Sequence, residues 1–199
     1  MSADLLTFDM AIENPLDVSP QTYQYYSGLQ KRRIIISDDI DGDLLHTAVI
    51  PLLDMDADGT GEPIEIMLSS HGGNLMDGFY LCNIIDHLQT PTTIRVMGYA
   101  QSLAGLILAA GFHNPNVRKV CYPFSTALLH SGETCIAAAA NAAKDTFNFL
   151  EKMDKQIKDY ILSHSYITEE EYEKMERFEW YMCADDMLKH GLVDEVLNG

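Results

Sequence analysis

The chain has 199 residues, 47% of them hydrophobic, which fits one domain with a substantial core. Thirty acidic residues against 13 lysines and arginines give a formal net charge of −17, which argues against a nucleic-acid binder, because such a protein needs a basic face. No apolar run reaches the ~18 residues of a membrane span, and Met1 to Asp9 carries acid where a secretory signal would carry positive charge.

Cys82, Cys121, Cys135 and Cys183 form no Cys-x-x-Cys pair, so they read as reduced thiols of a cytoplasmic protein. Residues 1–30 mix polar, acidic and aromatic side chains with no sustained period and read as a flexible arm. Arg33 to Ile36 is a short buried strand. Asp41 to Leu53 has a helical pattern with Leu44, Leu45, Ala48, Val49 and Leu52 on one face, and Pro51 should kink or stop it. Further strands are expected at Ile64 to Leu68, Thr92 to Val96, Val117 to Cys121 and Thr126 to Leu129, with helices between them at Leu75 to Leu88 and Leu103 to Gly111. That alternation predicts a mostly parallel α/β domain over 31–199.

Ile136 to Ser163 is the longest helical signal, with Ile136, Ala140, Ala143, Phe147, Leu150, Ile157 and Ile161 at three- and four-residue steps. A helix of that length cannot bury its whole apolar stripe in one small domain, so the stripe points to contact with another subunit, the bland alternative being packing on its own domain. Thr168-Glu169-Glu170-Glu171 is a capping box. Ala184 to His190, closed by Gly191, is a last helix before a terminal strand or tail at Leu192 to Leu197.

Asp54 to Glu65 matches the calcium-loop pattern, with Asp54, Asp56, Asp58 and Glu65 as candidate ligands. Pro63 stands where the exiting helix should begin and Ile64 to Leu68 reads as a strand, so an acidic surface loop is the preferred reading and no metal is expected. His46, His87, His113, His164 and His190 show no metal-ligand spacing and read as surface or cap residues.

The chemistry-bearing stretch runs from Val96 through Met97-Gly98-Tyr99-Ala100-Gln101-Ser102 to Leu103-Ala104-Gly105. Gly98 and Ser102 are placed on a tight strand-to-helix connection, where unpaired N–H groups and the helix dipole suit a nucleophile whose attack creates an oxyanion. The plain alternative is that Ser102 only caps the helix. Two partners accompany it: the Ser69-Ser70-His71-Gly72-Gly73 loop after a buried strand, and His130 at a strand end. The glycine pair lets backbone approach a ligand closely.

Met97-Gly98-Tyr99-Ala100-Gln101-Ser102-Leu103 resembles the nucleophile motif of the Clp protease proteolytic subunit family, ClpP. Ser70-His71-Gly72-Gly73 is similar to that family's Ser-Pro-Gly-Gly loop, Leu128-Leu129-His130 to its catalytic-histidine segment, and Tyr181 to Asp194 to its C-terminal ending. The resemblance, from Tyr25 to Val196, implies a crotonase-like β/α superhelix with the long helix as a projecting handle between two heptameric rings. It implies Ser102 as nucleophile, His130 as general base, Glu179 as the third member, and the N–H groups of Gly73 and Leu103 as oxyanion hole. In the family that third member is Asp; a Ser-His-Glu triad is chemically competent because the acid only orients and stabilises the imidazolium. Ser131-Gly132 stands where the family has Gln-Pro, and His71 where it has the loop proline. His71 adjoins the glycine pair, so contact with substrate or an adjustment of the pKa of His130 is expected of it.

The reading is therefore a serine endopeptidase acting on unfolded polypeptides inside a tetradecameric ring chamber, fed by an AAA+ unfoldase and needing no cofactor. The chain has no Gly-x-x-x-x-Gly-Lys loop, so ATP use belongs to that partner. The rivals are a catalytically silent ring subunit and a crotonase-type acyl-CoA hydratase or isomerase, which would need neither Ser102 nor His130.

Overall fold

A computed structural model describes residues 18–130, 139–175 and 178–198. Helix α1 (Pro20–Gln30) leads into β1 (Arg33–Ile36), and a π-helical turn (Leu45–Val49) runs straight into α2 (Ile50–Ala57). Then follow β2 (Ile64–Ser70), α3 (Leu75–Ile85), β3 (Thr92–Gln101), α4 (Leu103–Ile107), β4 (Val117–Cys121) and β5 (Thr126–Leu129). The chain closes with α5 (Ala140–Ser163), α6 (Glu169–Met175), β6 (Trp180–Cys183), α7 (Ala184–Lys189) and β7 (Glu195–Val196).

The strands form one sheet in the order β1-β2-β3-β4-β7, all parallel, with β5 joined to β3 and β6 antiparallel to β5. This is the mostly parallel α/β arrangement that alternating strands and helices require. Ile64, Ile66, Leu68 and Ser70 of β2 all point inward, and with Ile94, Val96 and Ala100 of β3 they meet Leu81, Ile85, Ala104 and Ile107 of the covering helices.

Strand β3 positions the site, because it changes neighbours along its length. Thr92 to Val96 pair with β4, whereas Tyr99 to Gln101 pair with β5. On its other edge, Leu68 pairs with Val96 but Ser70 with Ala100, so three residues of β3 face one of β2. That bulge re-aims the end of the strand. The expected loop at Gly98 is therefore corrected: the β5 ladder keeps the backbone extended to Gln101, and Ser102 alone makes the turn into α4.

Other expectations are revised. The arm expected over 1–30 includes a helix from Pro20, started by the Ser19 hydroxyl accepting the Thr22 N–H at 3.1 Å and by proline in the first turn. Its side chains are mostly exposed, so no apolar period marks it. Pro51 does not stop its helix, because the π-helical turn places it in the first turn of α2, where no N–H is needed. The wider turn also swings Leu45 outward, while Leu44, Ala48, Val49 and Leu52 stay buried. The helix from Leu103 ends at Ile107 rather than Gly111, and the terminal strand is only Glu195–Val196. His190 caps α7, one of the two expected roles, but it does so while buried: it is 4% exposed and meets Trp180 edge-on, and burial lowers its pKa.

The capping box forms as expected, with the Thr168 N–H donating to Glu171 at 3.0 Å and the Glu171 N–H to the Thr168 hydroxyl at 3.3 Å. Helix α5 has 24 residues. Ile157, Tyr160, Ile161 and Leu162 near its end pack on the core, and the Tyr160 hydroxyl donates to Asp86 at 2.8 Å, while Phe147 and Phe149 are exposed. Residues 1–17 of the arm, Ser131-Gly132, Cys135 and Ile136 lie outside the described residues. Among the described residues, no helix is long and apolar enough to cross a membrane.

Candidate active site

Ser102 has φ 54° and ψ −119°, a left-handed conformation that a residue with a Cβ adopts only under constraint. The constraint is visible: its N–H donates to the Leu128 carbonyl of β5 at 2.8 Å, and its carbonyl accepts from the Leu106 N–H in α4. Its side chain makes no cap hydrogen bond. The hydroxyl instead lies 2.8 Å from His130 Nε2. The plain cap reading of Ser102 is thereby set aside, because the oxygen that would cap the helix is engaged by an imidazole.

His130 directly follows β5 and is exposed, which suits a group that exchanges protons with a substrate. Its distance from Ser102 follows from the β3–β5 ladder, where Gln101 pairs with Leu128. The strand end is thus held against the turn carrying the hydroxyl.

Glu179 immediately precedes β6. The antiparallel register ends at the pair Leu129–Trp180, with His130 the next residue after it on one chain segment and Glu179 the residue before it on the other. The carboxylate accepts the Tyr181 hydroxyl at 2.7 Å, a bond that raises the Tyr181 pKa. Among the described residues no hydrogen bond joins Glu179 to His130. The structure thus brings Ser102 and His130 into bonding contact, while Glu179, one residue beyond the last β5–β6 pair, is held by Tyr181.

The Gly72-Gly73 turn lies against this pair. Gly72 and Gly73 have φ of 97° and 153°, and a Cβ on Gly72 would sit 2.6 Å from the Gln101 carbonyl and 2.8 Å from the Leu103 nitrogen. Only glycine permits that approach. The turn is latched to Ile40: the Ile40 N–H donates to the Gly72 carbonyl at 2.8 Å and the Asn74 N–H to the Ile40 carbonyl at 2.6 Å. In such a parallel bridge the N–H of Gly73 itself points away from Ile40. The N–H of Leu103, first residue of α4, has no partner four residues back. The glycine turn thus packs directly against the Ser102–Leu103 backbone.

Sequence reasoning missed the Ile40 latch, the Tyr181 bond, and a contact of His71, whose Nδ1 is 2.8 Å from Gln101 Oε1 and whose ring stacks on Tyr99 at 4.3 Å. Among the described residues no three His, Cys, Asp or Glu side chains group to hold a metal ion. Three of the four candidate carboxylates are committed elsewhere: Asp58 pairs with Arg32, Glu65 with Arg33 and Arg95, and Asp56 accepts the Thr90 N–H at 2.7 Å.

A hydroxyl bonded to an imidazole, beside a closely packed glycine turn, is an arrangement suited to nucleophilic chemistry. A family model described as Clp protease matches residues 17–199. The chain is also similar to the ATP-dependent Clp protease proteolytic subunit 1 of Salinibacter ruber, 23% identical over 179 residues that cover 89% of this chain and 76% of the relative.

Proposed function

Because the chain belongs to the Clp protease family, a family of serine peptidases, we propose that it is a serine endopeptidase that hydrolyses unfolded polypeptides inside an oligomeric ring chamber. The 2.8 Å approach of Ser102 Oγ to His130 Nε2 carries this reading. Ser102 Oγ attacks the peptide carbonyl and His130 Nε2 takes its proton. The N–H groups of Gly73 and Leu103 receive the oxyanion of the tetrahedral intermediate. His130 returns the proton to the leaving amine, and water then hydrolyses the acyl-enzyme by the same route. Glu179 completes the triad: one carboxylate oxygen takes Tyr181, and the other is available to orient the Nδ1–H of His130.

The finer architecture belongs to the same reading. Residues 31–199 form one peptidase domain on a crotonase-like β/α superhelix, and residues 1–30 form an axial arm. Helix α5 is the handle joining two stacked heptameric rings, supported by Phe147 and Phe149, which its own domain leaves exposed. Polypeptide is delivered by a separate AAA+ unfoldase, which accounts for ATP dependence, and the assembly works in the cytoplasm.

A fluorogenic peptide and a fluorophosphonate probe, applied to wild type and Ser102→Ala, test the proposal. Turnover and labelling lost only in the variant are expected. A wild-type oligomer that neither cleaves nor labels would be a silent ring subunit.

A further inference from the structure

We infer that His71 is a positioning residue for the oxyanion-binding turn and acts through Gln101, an inference that rests on the serine-peptidase reading. Two consecutive glycines in left-handed backbone have wide conformational freedom, so a turn built from them points its N–H groups correctly only if its flanks are pinned. One flank is pinned by the two hydrogen bonds to Ile40, and the Gly72 N–H donates to the buried Ser70 hydroxyl at 3.1 Å. The His71 side chain supplies a pin on the nucleophile's side.

From the residue just before Gly72, the imidazole crosses to β3. Its Nδ1 lies 2.8 Å from Oε1 of Gln101, the residue just before Ser102, and its ring lies on Tyr99 with 27° between the planes. With the amide oxygen as acceptor, the bond requires the proton on Nδ1. The β3 bulge makes this possible: Ser70 pairs with Ala100 after three unmatched residues, which brings Tyr99 and Gln101 beside His71. The Gly72 carbon lies beneath the same stretch, since a Cβ there would come within 2.9 Å of Ser102 Cβ. The side-chain bridge therefore spans the seam across which an oxyanion must be held between Gly73 and Leu103. Misplacement of a catalytic donor by ~1 Å costs up to about 100-fold in rate, and loss of one oxyanion donor about 100- to 1,000-fold.

A positioning role differs in its kinetics from substrate contact, which His71 could make because it is exposed. Holding the turn acts on the oxyanion, present only in the transition state, so it lowers kcat and leaves KM unchanged. His71→Ala should reduce kcat about tenfold and slow fluorophosphonate labelling in parallel, because the probe's phosphoryl oxygen enters the same hole. Gln101→Ala should do the same, and the double variant should be no worse than either single one, since each breaks one bridge. His71→Asn, whose Nδ2 takes the place of Nδ1, should recover most of kcat, while His71→Phe, which keeps the stack without the donor, should not.

Thermal melts of each oligomer separate loss of fold from loss of rate, and His71→Asn against His71→Phe keeps the comparison within one side-chain position. Additive losses in the double variant, or a raised KM with kcat kept, overturn the role. A wild type that labels while His71→Ala keeps its kcat overturns it alone; a wild type that neither labels nor cleaves overturns the peptidase reading and the role with it.

Discussion

The Tyr181 hydroxyl, on β6, which pairs with the β5 strand that ends just before His130, donates to Glu179 Oε2 at 2.7 Å. A carboxylate has about four acceptor sites, so this bond fixes the group and leaves Oε1 open for the imidazole that the proposed triad requires. Tyr181→Phe should therefore lower kcat by about 5-fold, the worth of about 1 kcal/mol in one orienting hydrogen bond, with KM unchanged. Glu179→Gln should lower it on the order of a thousand-fold or more, because an amide no longer stabilises the imidazolium. Steady-state peptide hydrolysis by the two variants measures both. A faster Tyr181→Phe enzyme would mean that the tyrosine competes with His130 for the carboxylate.

Ser102 stores backbone strain. Its φ of 54° costs a residue bearing a Cβ about 1–3 kcal/mol, and glycine escapes that cost while losing up to about 1 kcal/mol through its freer unfolded chain. Ser102→Gly should thus melt a few degrees above Ser102→Ala, about 2–4 °C per kcal/mol for a domain of this size, with both variants inactive. Calorimetry of the two side by side gives the answer; equal melting temperatures would mean that the turn carries no strain.

Much of this was legible from local pattern. The alternation of Ile64, Ile66 and Leu68 marks a strand with one buried face, and Thr168 with Glu171 marks a helix start, because each signal lies within a few residues. Ser102 and His130 were legible as the ends of two strands. Their contact depends on β3 leaving β4 for β5 between Val96 and Tyr99, a long-range pairing that local periodicity does not encode. Helix α1 was hidden because a mostly exposed helix needs no apolar period. Lys119 was overlooked although strand alternation puts it on the inward face with Val117 and Cys121.

The calcium-like loop should bind no calcium at micromolar concentration, and titration calorimetry should show no heat. Glu65, its twelfth residue, has a carboxyl that burial pushes upward, but the bonds from Arg95 and Arg33 outweigh burial and hold its pKa below the usual value. A depressed carboxyl stabilises the fold above its unfolded pKa, and that contribution is lost as pH falls through the folded one. Glu65→Gln should cost about 1–2 kcal/mol at neutral pH, and less as acid titrates the wild-type carboxylate. Urea unfolding at pH 7 and pH 4 measures the difference; a gap unchanged between them would show that the ion pairs contribute nothing.

Lys119 is 1% exposed, its Nζ donating to the carbonyls of Leu108 at 2.7 Å and Gly191 at 3.3 Å. The amine thus ties the end of α4 to the turn after α7. Burial lowers its pKa from 10.5 to about 8, against the opposing pull of Asp194 and Asp86. Between those two values the unfolded chain binds more protons than the folded one, so this residue's contribution to stability rises with pH. Its stabilising share is complete above pH 10.5 and is lost as pH falls through 8. Between pH 7.5 and pH 10, wild type should gain about 2 kcal/mol on Lys119→Met in urea unfolding. The buried thiols of Cys82 and Cys121, with pKa values pushed up to about 12 and about 11, titrate alike in both chains and cancel in the difference. A difference independent of pH would mean that Lys119 keeps its proton in the fold, held by Asp194 and Asp86.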